Sequence, residues 1–85
     1  MAEEASGTMT TEVLTYIAKA LVDHPDDVTV EAVEDDGETV LELRVHPDDM
    51  GKVIGKRGRT AKAIRTLVKA AATREGTSAT VEIVD

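Results

Sequence analysis

Lys56 and Arg57 stand between two glycines, Gly55 and Gly58, and this four-residue stretch is the part of the chain best suited to chemistry on an anion. The chemistry is non-covalent. A glycine has no side chain to keep a polymer backbone away from the main chain, and it accepts angles that a Cβ resists. Lys56 and Arg57 add full positive charges at the tip. Val53 and Ile54 lead into the turn, and an amphipathic helical pattern follows it. The start of that helix supplies unpaired N–H groups and a partial positive charge. The combination suits a sugar-phosphate chain gripped at a tight turn between two helices.

The cations continue beyond the turn. Arg59, Lys62, Arg65 and Lys69 recur at helical steps along one face, while Ile64, Leu67, Val68 and Ala71 form an apolar stripe on another. Lys52 precedes the turn. The net charge of −7 taken alone argues against a nucleic-acid ligand, but the distribution of charge along the chain argues for one. Residues 51–74 hold 8 basic side chains and no acidic one, whereas residues 1–50 hold 14 acidic and 2 basic ones. A polyanion responds to the field within about 10 Å at ordinary salt, so the local segment outweighs the sum. The acidic remainder limits indiscriminate binding.

Other chemistries fit less well. Gly51 to Lys56 resembles a phosphate-binding P-loop, but three residues separate its glycines where that motif has four. Arg57 also stands where a Ser or Thr would hold magnesium. The chain has no cysteine, which excludes disulfides and thiolate metal sites. His24 reads as a cation at a helix end and His46 as the end of a strand. The carboxylates at Asp23, Asp26 and Asp27, and from Glu34 to Glu38, fit no twelve-residue calcium loop and read as solvated turns. No nucleophile has an evident base, so neither an enzyme nor a cofactor or metal site is expected. No apolar run approaches the roughly 20 residues that span a bilayer. The acidic start, Met1 to Glu4, does not resemble a secretory signal, and the expected location is cytoplasmic.

The elements that position the turn follow from periodicity. Residues 1–9 read as a disordered tail, and Thr10 or Thr11 as a helix cap. Val13, Leu14, Ile17, Ala18, Leu21 and Val22 mark a helix that Pro25 stops. Val28, Val30 and Ala32 alternate as a half-buried strand. Asp36-Gly37 signals a hairpin within a five-residue polar stretch, and Thr39 to Val45 is the second strand. Pro47, Asp48 and Asp49 open a short helix over about residues 48–54. A longer helix runs from Arg59 to about Arg74, Gly76 ends it, and Thr80 to Val84 forms a third strand. An 85-residue chain of this kind is one small α+β domain.

Val53-Ile54-Gly55-Lys56-Arg57-Gly58, with Lys62 and Ile64 downstream, resembles the signature of the KH (K-homology) RNA-binding domain. Over residues 10–85 the order α-β-β-α-α-β resembles its type II form, with a three-stranded mixed sheet and helices packed on one face. The chain is similar in particular to the small single-domain KH proteins of bacteria, the KhpA type. Leu14 to Pro25, Pro47 to Lys52 and Ala61 to Val68 carry that narrower likeness.

The resemblance implies a non-catalytic protein that binds single-stranded RNA, an RNA chaperone or post-transcriptional regulator. Gly55 to Gly58 would hold the backbone of about four nucleotides. Ile54 and neighbouring apolar atoms would line a groove for the bases. The RNA-binding set is then Lys52, Ile54, Gly55, Lys56, Arg57, Gly58, Arg59, Lys62 and Arg65. The likeness further implies a homodimer, or a heterodimer with a KhpB-type KH protein, acting in cell elongation, cell shape and envelope homeostasis. Ala61 departs from the family pattern, which often has a bulky aliphatic there, and implies a shallower groove. Tyr16 is the only aromatic, too few for a domain that reads bases by stacking. Two other readings stand beside this one: an assembly subunit whose main role is protein pairing, and a DNA-binding domain.

Overall fold

The computed structural model describes residues 8–84. Its main elements are α1 (Thr8–Leu21), β1 (Thr29–Asp35), β2 (Glu38–Arg44), α2 (Met50–Ile54), α3 (Arg59–Arg74) and β3 (Ala79–Val84). Single 3-10 turns lie at Pro25–Asp27, Pro47–Asp49 and Lys56–Gly58. The strands lie in the order β1-β2-β3, with β1 antiparallel and β3 parallel to β2. The α+β architecture and its α-β-β-α-α-β order are those expected for a type II KH fold.

Leu14 and Ala18 of α1 and Val22 just after it recur at every fourth position and are buried against Leu41 and Leu43 of β2 and Val81 of β3. Val53 of α2 and Ile64, Val68 and Ala72 of α3 complete the core. The buried stripe of α3 is therefore Ala61, Ile64, Val68 and Ala72. Leu67 does not belong to it, as it is 52% exposed. One residue turns a helix by about 100°, so with Val68 facing inward Leu67 points away.

Two local expectations are corrected, and a third is met. Thr10 and Thr11 lie inside α1, which is described from Thr8, so neither caps it; Thr8 and Met9 of the expected tail are helical, and residues 1–7 lie outside the described residues. Thr10 is buried inside α1, and both its hydroxyl and its backbone N–H donate to the carboxylate of Glu75. That carboxylate, supplied by the end of α3, satisfies the positive end of α1. The hairpin expected at Asp36-Gly37 is present, and its loop is these two residues alone. Asp36 and Gly37 both have positive φ, 56° and 83°, which is the geometry that lets twisted strands run directly into a two-residue turn. Finally, β1 is an edge strand, and Ala32 on it is exposed rather than half-buried; only Val28 just before it and Val30 within it pack on the core.

The end of α3 is held as expected. Gly76 adopts φ +78°, its N–H donates to the Thr73 carbonyl, and the Thr77 N–H donates to the Ala72 carbonyl. This pair of bonds closes the last helical turn and delivers the chain into β3. Among the described residues no helix is long and apolar enough to cross a membrane.

Candidate nucleic-acid interface

The glycine turn breaks the helix, its two glycines half-buried and its two cations exposed. Gly55 has φ 77° and ψ 171°, and Gly58 has φ 72° and ψ 14°. Between them Arg57 takes a left-handed conformation at φ 59° and ψ 25°. A non-glycine residue there stores about 1–3 kcal/mol, which the surrounding structure must hold. Lys56 and Arg57 are both exposed.

The two glycines do different work. A Cβ on Gly55 would lie 2.2 Å from Thr60 Oγ1 and 2.8 Å from the Thr60 nitrogen, so the turn packs directly on the first residues of α3. A Cβ on Gly58 would meet nothing within 4 Å. Gly55 therefore closes the turn, and Gly58 leaves an open approach to it.

Of the cations expected at the site, Lys56, Arg57, Arg59 and Lys62 are exposed on the turn and the first part of α3, without an ion pair among the described residues. Lys52 on α2 is 3.6 Å from Asp23, so its charge is partly committed. Arg65 is drawn toward the sheet, where its Nε donates to the Val81 carbonyl at 3.4 Å. Ile54 ends α2 beside the turn and is 38% exposed, an apolar surface next to the cations.

Charge elsewhere favours this side for a polyanion. On the sheet face away from the helices, Glu31, Glu42 and Glu82 lie in one cross-strand row, with Arg44 reaching the first two at 3.8 and 3.7 Å. A cavity of about 740 Å³ opens at the C-terminal end of α3, lined in part by Thr10, Glu34, Glu75 and Thr77. Its two carboxylates repel phosphate, and the length of α3, about 24 Å, separates it from the turn.

One supporting cluster was missed by sequence reasoning. Asp49, expected as a helix-start carboxylate, makes no capping bond to α2 and is buried at 1% exposure. Its Oδ2 accepts the His24 backbone N–H and the His24 Nδ1–H, both at 2.9 Å. His24 therefore acts as a tie between the end of α1 and the start of α2, not as a helix-dipole cation. Its ring stacks on His46 with centroids 4.0 Å apart, and His46 Nδ1 accepts the Asp48 N–H. The two His-Pro steps hint that both rings sit at turns, but the rings lie 22 positions apart and only folding pairs them.

Burial pushes the Asp49 carboxyl up, but the bonds from His24 and from the Asp23 and His24 backbone outweigh it and hold the group below its ordinary 3.8. The bond to Asp49 raises His24 above 6.5, against desolvation and with help from the charges of Asp49, Asp27 and Asp48. Stabilisation by a raised histidine is complete below its unfolded value and is lost as pH rises through its folded one. Stabilisation by a lowered carboxylate is present above its unfolded value and is lost as pH falls through its folded one. The melting-temperature advantage of the native chain over His24→Gln is thus expected to be greatest between about pH 4 and 6.5 and to shrink by pH 8. A gap constant across thermal melts from pH 5 to 8 would contradict the ion pair.

A glycine-bracketed cationic turn between two helices, packed on a mixed three-stranded sheet, defines a KH domain. Comparison with known families agrees: the family described as KhpA/KhpB, KH domain, matches residues 11–83. The chain belongs to that family. It is 59% identical over 70 residues to RNA-binding protein KhpA of Halalkalibacterium halodurans, covering 82% of this chain and 92% of that protein. It is 58% identical over 73 residues to RNA-binding protein KhpA of Clostridium perfringens, covering 86% and 97%. To RNA-binding protein KhpA of Treponema pallidum it is 50% identical over 78 residues, covering 92% and 98%. Among solved structures, an Aquifex aeolicus Era variant bound to GDP and aluminium fluoride superposes with a TM-score of 0.64 at 20% identity, over 88% of this chain. The match spans 29% of the Era chain and speaks for the fold alone.

Proposed function

We propose that this protein binds single-stranded RNA without catalysis, gripping the sugar-phosphate backbone at Gly55 to Gly58 and acting as an RNA chaperone or post-transcriptional regulator. The observation that carries this reading is the turn itself: broken out of the helix, with exposed cations at Lys56 and Arg57, and open on the Gly58 side. The names of the relatives support the same ligand. Lys52, Ile54, Arg59, Lys62 and Arg65 extend the contact to either side. A part in cell elongation and envelope homeostasis, alongside a KhpB-type KH protein, rests on the family likeness.

Salt tests the phosphate grip. Each neutralised phosphate of a single strand contributes a slope of roughly −0.7 in log affinity against log salt. A clamp on about four nucleotides gives a slope of about −3, read by fluorescence anisotropy with a labelled single-stranded RNA. A flat response would remove the turn from the mechanism.

A second reading, an assembly subunit with secondary RNA binding, draws on exposed apolar residues. Tyr16 is 77% exposed and Met9 58% on α1, and Leu67 52% on α3. A homodimer, or a pair with a second KH protein, that covers these residues would bring two RNA grooves to one strand and raise avidity. Sedimentation equilibrium of the native chain and of Leu67→Lys separates a monomer from a dimer that uses α3.

A further inference from the structure

We propose that Arg65 reads one base of the bound strand and selects cytosine or guanine over uracil and adenine. This assignment rests on the RNA-binding reading above and adds a base preference to it.

The geometry begins at the sheet edge. β3 pairs only with β2, so its other side is an edge of the sheet. The Val81 side chain is buried under the helices, which leaves the Val81 carbonyl in the plane of the sheet. Arg65 Nε donates to that carbonyl at 3.4 Å. The guanidinium is therefore held beside the sheet edge, on the same flank of α3 that carries Lys62 and Lys69. A bond through Nε alone leaves both Nη groups without a partner among the described residues. Because guanidinium is planar and its donors are fixed, anchoring Nε also aims the free Nη donors.

Two parallel donors require two adjacent acceptors. Cytosine presents N3 and O2 side by side, and guanine presents O6 and N7. Uracil interrupts its two carbonyls with an N–H, and each acceptor of adenine that adjoins N6 is paired with a donor. The phosphates gripped at the turn carry no sequence information, so discrimination has to arise from such a contact with a base edge. Arg65 lies two turns of helix beyond the glycine turn, within the span of the few nucleotides that a clamped strand lays along the domain.

The experiment compares eight-residue oligocytidylate, oligouridylate and oligoadenylate by fluorescence anisotropy, using the native chain and Arg65→Lys. Homopolymers present the same base in every register, so the position of the read nucleotide need not be known. The native chain is expected to bind oligocytidylate about tenfold more tightly than the other two, the scale of one bidentate base contact. Arg65→Lys keeps the charge but lacks the planar fork, and its three affinities are expected to converge to within about twofold. Equal affinities in the native chain, or an undiminished preference in Arg65→Lys, would overturn the assignment and leave the backbone grip standing. Failure of the native chain to bind any of the three would overturn the RNA reading and the assignment together.

Discussion

Replacing Lys56 and Arg57 together with aspartate is expected to weaken binding to single-stranded RNA by more than a hundredfold while leaving the melting temperature within about 2 °C of the native value. Each side chain can make a charge-assisted bond to phosphate, worth about 1.5–3 kcal/mol. Two such losses amount to about 3–6 kcal/mol, or two to four orders of magnitude in affinity. The introduced carboxylates add repulsion to a ligand that is itself a chain of negative charges. The fold has little reason to respond. Both positions are exposed and neither cation forms an ion pair among the described residues. Aspartate also tolerates the left-handed conformation of Arg57 at least as well as arginine does, because its short side chain bonds locally. Anisotropy titrations and thermal melts of one preparation decide the matter. Native affinity in a folded variant would show that RNA is held elsewhere.

The second large effect concerns stability, and it separates two glycines that look equivalent in the sequence. Gly55→Ala is expected to cost about 3 kcal/mol or more, which in a domain of this size lowers the melting temperature by roughly 12–24 °C. Its backbone, at φ 77° and ψ 171°, lies in a region occupied almost only by glycine, and that alone costs about 1–3 kcal/mol. The new methyl group would also collide with the side chain and the nitrogen of Thr60, and forcing extra volume into a packed site adds about 1–3 kcal/mol. Gly58→Ala should cost only about 1 kcal/mol, since its left-handed conformation is less restrictive and its Cβ points into open space. If the two variants melt together, the turn relaxes more freely than its packing on α3 suggests. The contrast also matters for RNA: Gly58→Ala keeps the fold but places a methyl group on the open side of the turn.

Much of this fold could be read along the chain because the signals are local. The fourfold recurrence from Leu14 to Val22, the Asp36-Gly37 pair and the Gly76 stop each act within a few residues, and each marks an element that is present. The turn at Gly55 to Gly58 was legible for the same reason, since its two glycines and two cations are contiguous. The misses lie where a distant partner decides. Leu67 fits an apolar stripe in the sequence, but the face of α3 that packs on the core buries Ala61 and Ala72 and leaves Leu67 outside. Thr10 reads as a cap until Glu75, 65 residues away, takes its hydroxyl.

The sequence by itself determined the class of domain, the location of the glycine turn and the basic segment around it, because spacing, turn chemistry and charge are properties of neighbouring residues. Tertiary structure alone decided which cations remain available and what braces the turn. Lys52 is shared with Asp23, Arg65 is anchored at the β3 edge, Gly55 is pressed against Thr60, and Asp49 ties α1 to α2 through His24. The physical reason is that burial and hydrogen-bond pairing depend on which surfaces meet when helices pack on a sheet. Apart from Gly55 and Thr60, those meetings join residues 16 to 65 positions apart, beyond the reach of any local pattern.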